Sequence, residues 1–215
     1  MTTSLLWAMV IGYLVGGLPV GLYIARLQGV DDIRKYGSGN IGASNVLRVI
    51  GARAGIAVWI IDCLKGVVPV LISRHVFGLE GWQLGVASAV PVLGHCFSIY
   101  LRFSGGRGVS TALGSMLGLY WPAGVAAFAL FILVVAKTRY ISLGSMLGAS
   151  SCPLFMWLLG MHGGYMLGTG TIAAIVVARH IPNIQRLVSG TERKLGQKEH
   201  PDSGGPGDGH EQTGG

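Results

Sequence analysis

The sequence predicts an all-α, polytopic integral membrane protein with about seven transmembrane helices, two of them short, and with the N-terminus outside. Hydrophobic side chains make up 51% of its 215 residues and charged ones only 12%, whereas about a quarter of an average soluble domain is charged. The apolar residues form runs of roughly bilayer length, and the basic residues stand mainly at the ends of those runs. The net charge of +7 therefore indicates membrane topology and anion binding, and we expect no nucleic acid partner.

The first three apolar runs each have about the length that a bilayer requires. Residues 4–25 precede Arg26, an order opposite to that of a cleaved signal peptide, and a cytoplasmic Arg26 places the N-terminus outside. The second run, about 54–73, carries Asp62 and Lys65 on one helix face. Both a structural ion pair that joins two helices and a direct role in a site fit this spacing. The third run covers about 82–100.

The next apolar run, about 109–136, is too long for one crossing. At about 1.5 Å per residue it would reach roughly 42 Å, against a hydrocarbon core of ~30 Å. Aromatic residues and Pro122 interrupt its middle, which predicts two shorter helices in a hairpin. Runs at about 140–159 and 165–178 follow, and the hairpin keeps the basic clusters after them on the cytoplasmic side.

Three polar, glycine-rich loops interrupt these runs on that side. The first, residues 36–48, reads YGSGNIGASNVLR, and its glycines allow amide groups to turn inward as a nest for an anion. The same residues also fit the dinucleotide-binding pattern GxGxxG. In dinucleotide-binding folds that pattern follows a β-strand, whereas here it follows a predicted membrane span. A flexible polar loop between two helices is the simpler alternative.

The other two loops have the same character. Residues 94–111 read GHCFSIYLRFSGGRGVST, in which a glycine turn leads into a helix N-terminus, a favourable place for an anion. His95 fits either a structural role at the helix end or a role in the site. Residues 179–194 read RHIPNIQRLVSGTERK and place His180 and Asn183 three positions apart, a spacing that directs both inward on a helix.

Acidic residues are too scattered in the ordered part of the chain to bind a divalent metal, so we expect neither a metal nor a cofactor. They are Asp31, Asp32, Asp62, Glu80 and Glu192. The three cysteines stand apart from one another in apolar surroundings, and we expect no disulfide framework. Residues 1–195 are predicted to form a single transmembrane domain and residues 196–215 a disordered cytoplasmic tail.

The three loops resemble the motifs of a known family, the bacterial acyl-phosphate-dependent glycerol-3-phosphate acyltransferases of the PlsY type. The motifs are GSGNIGASN, GHCFSIYLRFSGGRGVST and HIPNIQRLVSGTE, and the resemblance extends to about Lys194. The family usually has Thr at position 44, Pro at 98, Lys at 107 and Ala at 110, where this chain has Ser44, Ser98, Arg107 and Ser110. Arg107 keeps the charge of the usual Lys but changes its geometry.

The resemblance implies transfer of a fatty acyl group from acyl phosphate to the 1-hydroxyl of glycerol 3-phosphate. Lysophosphatidic acid and phosphate would be the products, in the first step of phospholipid synthesis at the inner (plasma) membrane, with the active site facing the cytoplasm. The implied partners are glycerol 3-phosphate, acyl phosphate, membrane lipid and the enzyme that makes acyl phosphate.

The resemblance also implies two sets of site residues. The catalytic set is Ser38, Arg48, Arg107, His180 and Asn183. The substrate-binding set is Gly37, Gly39, Asn40, Gly42, Ser44, Asn45, His95, Gly105, Gly106, Gly108, Ser110, Thr111, Gly190, Thr191 and Glu192. In this scheme the arginines hold phosphate, Ser38 and Asn183 donate hydrogen bonds, and His180 orients substrate or assists proton transfer.

A membrane transporter for an organic phosphate is the alternative from another functional class. It would also need basic, glycine-rich loops. Transporters of this kind have paired broken helices in two related halves, and the sequence contains no internal repeat.

Overall fold

The computed structural model describes residues 3–197, and in that range the chain is helical with no strand. The α-helices are α1 (Thr3–Gly17), α2 (Val20–Leu27), α3 (Ala43–Val49), α4 (Ala52–His75), α5 (Gly81–Cys96), α6 (Val109–Thr138), α7 (Ile141–Leu158), α8 (Gly164–Arg179) and α9 (Ile181–Val188). Two short 3-10 helices, Ile33–Lys35 and Ile99–Leu101, lie in the loops. The predicted tail, 196–215, lies outside the described residues except for its first two positions.

Five helical stretches in the described part of the chain are long and apolar enough to cross a membrane, and α8 is a shorter apolar helix. The prediction of an all-α integral membrane protein is confirmed. The number of spans and the side of the N-terminus stay predictions, because two of these stretches are broken: one joins α1 and α2, and another is the 30-residue α6.

The break between α1 and α2 lies at Pro19, which cannot donate a helical hydrogen bond. The carbonyl groups freed before it are bound by side chains of other helices. Lys65 of α4 donates to the Leu18 carbonyl at 2.7 Å, and the Ser98 hydroxyl donates to the Gly17 carbonyl at 2.6 Å. The backbone therefore stays paired in a region without water.

The second break divides α6 at Tyr120, whose φ of −159° and ψ of 99° are not helical. A Cβ built on Gly124 would lie 3.0 Å from the Leu117 backbone nitrogen. In a straight helix residues seven apart are separated by about 10.5 Å, so the chain reverses here. The predicted hairpin is confirmed, and the Arg74 guanidinium of α4 donates to the Leu119 carbonyl at the end of its first half.

Helix α5 lies at the centre of the bundle and packs against α1, α4, α6 and α8. Small residues permit the closest contacts, as transmembrane packing favours. A Cβ on Gly85 would overlap the carbonyl oxygen of Gly164 in α8, and a Cβ on Gly66 of α4 would overlap the Thr111 carbonyl in the first half of α6. Helix α7 completes the bundle between the second half of α6 and α8.

The polar loops meet at one end of this bundle. The segment after α9 is tied to the turn between α6 and α7, because Leu195 N donates to the Arg139 carbonyl and the Arg139 guanidinium donates to the Leu195 carbonyl, each at 2.7 Å. Lys194 lies over the Tyr140 ring at 5.5 Å. These contacts place α9 and the residues after it beside the polar loops.

Candidate active site

Asn45 holds the first polar loop in shape. Its buried amide donates to the carbonyl groups of Ile33, Tyr36 and Asn40 at 3.2, 3.1 and 2.8 Å, and its Oδ1 accepts from Ser38 N at 2.7 Å. The side chain therefore stabilises the loop from within. The predicted role of Asn45 in binding substrate does not agree with this position, because all of its polar atoms are already paired.

The amide groups of this loop are also largely used within it. Gly39 N donates to the Tyr36 carbonyl and Gly42 N to Asn40 Oδ1, at 3.0 and 2.9 Å. The expected nest of free amides is therefore absent at Ser38, Gly39 and Gly42. The loop also presents the side chains of Ser38, Ser44 and Arg48 to a ligand, since they line a cavity.

The second loop likewise uses its glycine amides for folding. Gly105 N donates to the Cys96 carbonyl and Gly106 N to the His95 carbonyl, both at 3.2 Å. The carbonyl groups of these two glycines are held by Arg179, whose guanidinium donates to them at 2.9 and 3.1 Å. A Cβ on Gly106 would overlap His95 Nε2, so glycine is required there for packing.

His180 begins α9 and is almost fully buried. Its Nδ1 lies 2.7 Å from the Val176 carbonyl oxygen, which can only accept, so Nδ1 carries the proton and Nε2 is the acceptor. Burial lowers the pKa of His180 to about 4, helped by the nearby Arg107 and opposed by the hydrogen bond to Val176. The ring is therefore neutral at pH 7.

Asn183 is oriented by Glu192. The carboxylate accepts at 2.7 Å from the Asn183 amide through one oxygen and at 2.8 Å from Arg186 Nε through the other. Burial would raise the pKa of Glu192, but the Ser142 hydroxyl and the hydrogen bonds from Asn183 and Arg186 outweigh it, so the pKa lies below its usual value. Asn183 Oδ1 is buried and finds no partner among residues 3–197.

This arrangement adds an acceptor to the role expected for Asn183. A carboxylate can only accept hydrogen bonds, so the Asn183 nitrogen must face Glu192 and its oxygen must face away. The side chain thus presents a buried oxygen that can accept a hydrogen bond from a ligand, while the bond to Glu192 uses one of its two N–H donors. The predicted donation to a ligand stays a prediction.

A cavity of about 570 Å³ brings most of the predicted residues together. From the predicted sets it is lined by Gly37, Ser38, Asn40, Gly42, Ser44, Arg48, His95, Arg107, Gly108, Ser110, His180, Asn183 and Glu192. All five residues of the predicted catalytic set are among them. A second cavity of about 410 Å³ adjoins the first, since Ser38, Asn40 and Arg107 line both, and Gly39 and Gly105 line the second alone.

Five predicted substrate-binding residues line neither cavity: Asn45, Gly106, Thr111, Gly190 and Thr191. Thr111 lies behind the site, with its Oγ1 3.2 Å from His95 Nδ1. Gly190 and Thr191 form the exposed turn after α9, where the Thr191 and Ser189 hydroxyls are 2.8 Å apart. The predicted contact of these five residues with substrate therefore has no support from the lining of either cavity.

The larger cavity also contains residues that the sequence analysis missed. Its deeper wall is apolar and comes from α4, both halves of α6, and α7; it includes Ile56, Trp59, Leu113, Met116, Ala127, Phe128 and Phe131. The rings of Trp59 and Phe128 stack with centroids 6.0 Å apart, and Phe128 and Phe131 stack at 5.7 Å. Ser142, Arg186 and Arg193 add polar groups near the loops.

The Asp62–Lys65 pair connects the fold to the site. Both side chains are buried, with Lys65 Nζ 2.8 Å from Asp62 Oδ1. Lys65 locks α4 to the break after α1, as the structural interpretation requires, while Asp62 lies on the cavity wall, 4.0 Å from His95 Nδ1. The structural interpretation is therefore supported for Lys65, and a direct role of Asp62 in the site stays a prediction.

Positive charge dominates the polar end of the cavity. Burial lowers the pKa of Arg107, and the neighbouring Arg186, Arg179 and Arg48 lower it further, while Glu192 opposes them. Arg34, by contrast, is bound to Asp32 at 2.7 Å, and that contact lowers the pKa of Asp32 to about 2. Within residues 3–197 no group of three or more His, Cys, Asp and Glu side chains could hold a metal ion.

Comparisons with known proteins agree with this site. The family model described as "Glycerol-3-phosphate acyltransferase" matches residues 6–190. A protein of that name from Geobacter sulfurreducens is 48% identical over 185 residues, which cover 86% of this chain and 94% of the relative. Another, from Syntrophotalea carbinolica, is 44% identical over 193 residues, which cover 90% of this chain and 98% of the relative.

A solved structure is similar over the same region. The crystal structure of PlsY (YgiH), an integral membrane glycerol 3-phosphate acyltransferase in its glycerol 3-phosphate form, superposes with a TM-score of 0.85 at 36% identity. The match covers 90% of this chain and 96% of that one, and a second structure of PlsY, in the lysophosphatidic acid form, gives a TM-score of 0.84. These matches do not support the transporter alternative. The chain belongs to the glycerol-3-phosphate acyltransferase family.

Proposed function

We propose that this membrane enzyme transfers a fatty acyl group from acyl phosphate to the 1-hydroxyl of glycerol 3-phosphate and releases lysophosphatidic acid and phosphate. One observation carries the proposal: a single cavity joins a cluster of cations to an apolar chamber. Such a cavity fits a molecule with a phosphate at one end and a hydrocarbon chain at the other, as in both the acyl donor and the product. Relatives of this family bear the matching name.

The polar end would hold two phosphate groups close together. Two phosphates repel each other, so the site needs several cations and few acids, which is the balance around Arg107. Arg48 and Arg107 are assigned to phosphate, where a forked guanidinium can donate two hydrogen bonds to one group. Ser38 supplies a hydroxyl where the two cavities adjoin.

The chemical step needs no protein nucleophile, because acyl phosphate is already an activated anhydride. The hydroxyl oxygen of glycerol 3-phosphate attacks the acyl carbon, the bond from that carbon to the phosphate oxygen breaks, and phosphate leaves with the electron pair. Holding the two substrates in line and stabilising the developing oxyanion supply the rate enhancement. His180 Nε2 and Asn183 Oδ1 are acceptors that can bind and orient the glycerol hydroxyls.

The proton of the attacking hydroxyl is assigned to a substrate phosphate. A phosphate monoester has a second pKa of about 6, so its dianion is a stronger base than an imidazole with a pKa of about 4. His180 is left to fix the hydroxyl through a hydrogen bond. The apolar chamber beside Trp59 and Phe128 receives the acyl chain and keeps it next to the membrane.

The decisive experiment supplies purified protein in detergent or nanodiscs with glycerol 3-phosphate and either acyl phosphate or acyl-CoA. We expect lysophosphatidic acid and one equivalent of phosphate with acyl phosphate alone. Turnover with acyl-CoA and none with acyl phosphate would overturn the assignment of the donor. Uptake of labelled glycerol 3-phosphate into vesicles without an acyl donor would instead indicate transport.

We further infer that the site faces the cytoplasm of the inner membrane and that residues 1–195 form the acyltransferase domain. The position of the basic residues supports this orientation. Cysteines introduced at Trp121 and Ser189 should label from opposite sides of the membrane, because one lies at the α6 hairpin and the other at the end of α9. Labelling from the same side would contradict seven spans. The enzyme that makes acyl phosphate is the expected supplier of the donor.

A further inference from the structure

Arg179, at the end of α8, contacts the second polar loop through its whole guanidinium group. Nε donates to the Gly106 carbonyl at 3.1 Å, and a terminal nitrogen donates to the Gly105 carbonyl at 2.9 Å. The same group lies 5.3 Å from the centre of the Phe97 ring, at the end of α5. One side chain thus joins α8, the end of α5 and the loop.

The backbone N–H groups of the loop are bound from Leu101 to Gly106, and Arg179 adds contacts to the carbonyl side of the two glycines. The two glycine amides are bound to the carbonyl groups of Cys96 and His95, so Arg179 is the group that holds the opposite, carbonyl side of the same two peptides. A run of glycines has the largest conformational freedom of any sequence and needs such restraint to keep one shape.

The residue immediately after this restrained pair is Arg107, which lines both cavities. Arg179 and Arg107 repel each other, and this repulsion contributes to the lowered pKa of Arg107. Burial and Arg186 have larger effects on that pKa. The backbone contacts of Arg179 therefore do not serve to attract Arg107. They fix the peptide from which its side chain extends.

We propose that Arg179 is a positioning residue that sets the direction of Arg107, so that Arg107 can bind phosphate. This rests on the proposed function, in which Arg107 is the phosphate ligand. The alternative is that Arg179 itself binds phosphate through its charge. The two differ in what the forked shape of arginine contributes.

The test compares Arg179→Gln, Arg179→Lys, Arg107→Ala and the double variant Arg107→Ala/Arg179→Gln, with Arg102→Gln as the control for losing an exposed cation from the same loop. Arg107→Ala identifies the substrate whose KM depends on Arg107. For that substrate we expect Arg179→Gln to raise KM about tenfold with a much smaller change in kcat, as for a lost charge-assisted contact. Lysine keeps the charge but lacks the planar fork that holds both carbonyl groups in fixed positions. Arg179→Lys should therefore resemble Arg179→Gln, and Arg102→Gln should resemble the parent.

Two further results separate positioning from direct binding. Because Arg179 acts through Arg107, the double variant should be within about threefold of Arg107→Ala, whereas independent ligands would multiply their effects. Hydrogen exchange of the Gly105 and Gly106 amides should quicken in substrate-free Arg179→Gln and stay unchanged in Arg107→Ala.

Three outcomes would overturn the inference: multiplied effects in the double variant, full rescue by lysine, or unchanged exchange at the two glycines. A variant that yields little folded protein with an unchanged KM would also overturn it, as a purely structural role. A failure of the proposed function would give a different result. Arg107→Ala would then leave the KM for glycerol 3-phosphate and the KM for acyl phosphate unaltered, and the inference about Arg179 would be wrong as well.

Discussion

The two ends of the larger cavity are built in different ways. The polar end comes from three short loops and α9, and Ser38, Arg48, Arg107 and His180 each lie within a recognisable stretch of sequence. The apolar end comes from helices distant in the chain: Trp59 belongs to α4, Phe128 to the second half of α6, and other wall residues to α7.

This difference shows that the chemical groups of the site come from short stretches of sequence, whereas the shape of its apolar end comes from the packing of distant helices. A phosphate ligand needs hydrogen-bond donors and positive charges, so the loops carry particular residues. A hydrocarbon chain needs only a dry space of suitable width, which many combinations of apolar residues can enclose. Substitutions at the polar end should therefore be costly and specific, and substitutions at the apolar end mild and dependent on chain length.

The largest expected effect is at the arginines of the polar end. Arg48→Ala and Arg107→Ala should each lower kcat/KM about ten- to a hundredfold, since a hydrogen bond to a charged group contributes roughly 1.5–3 kcal/mol. Arg107→Lys keeps the charge and should retain most activity. Steady-state kinetics on folded, detergent-purified protein measure this. Near-normal turnover in Arg107→Ala would remove that residue from the site.

A smaller effect is expected from Glu192→Gln. Glutamine carries no charge and can donate as well as accept, so it no longer forces the Asn183 oxygen toward the ligand. We expect kcat/KM to fall about tenfold, the value of one misdirected hydrogen bond. Glu80→Gln, the same change at an exposed position, is the matched control. Equal kinetics in the two variants would show that Asn183 needs no orientation.

At the apolar end, Trp59→Ala should have a milder effect that varies with the acyl chain. Loss of the indole ring removes apolar contact with the acyl chain, about 0.8 kcal/mol for each CH2 group that it covers, which is roughly fourfold in KM for long-chain acyl phosphate. Short chains that do not reach the rings should be unaffected. Trp157, an exposed tryptophan of α7 outside the cavity, is the control for Trp→Ala. A uniform loss at all chain lengths would place Trp59 in the polar chemistry instead.

The smallest expected effect is that of a chelator, which should leave turnover unchanged. The cations of the polar end are arginines. Of the two acids on the cavity wall, Glu192 is engaged by Asn183 and Arg186, and Asp62 is paired with Lys65. Assays in EDTA, repeated with added magnesium or manganese, test this. Activity lost in EDTA and restored by either ion would require a metal at the polar end.

The sequence predicts the polar end well because its residue types are unusual in a membrane protein. Arg48, Arg107 and His180 stand out against apolar surroundings, and they line the cavity. Length and Pro122 were enough to predict the hairpin in α6. The sequence could not predict the direction in which a side chain points. Asn45 and Asn183 both belong to polar motifs, yet Asn45 is used inside its loop and Asn183 faces the cavity.

The apolar wall could not be predicted for a related reason. A transmembrane helix is apolar on all its faces, so no periodic pattern separates the side that faces lipid from the side that faces a cavity. Trp59, at the lipid-accessible edge of α4, looks like Trp157 in the sequence. Arg179 was also missed, because its importance lies in carbonyl groups of glycines more than seventy positions earlier.

Two cations of α4, Lys65 and Arg74, also constrain how the protein enters the membrane. Lys65 binds the carbonyl freed at the break after α1, and Arg74 binds the one freed inside α6. During synthesis α1 emerges before α4, so its broken backbone has to remain hydrated, or near the translocon wall, until α4 arrives. The α6 hairpin emerges later and can close at once on an Arg74 already in place. Helix α4 is thus the element whose insertion allows both irregular segments to settle into lipid.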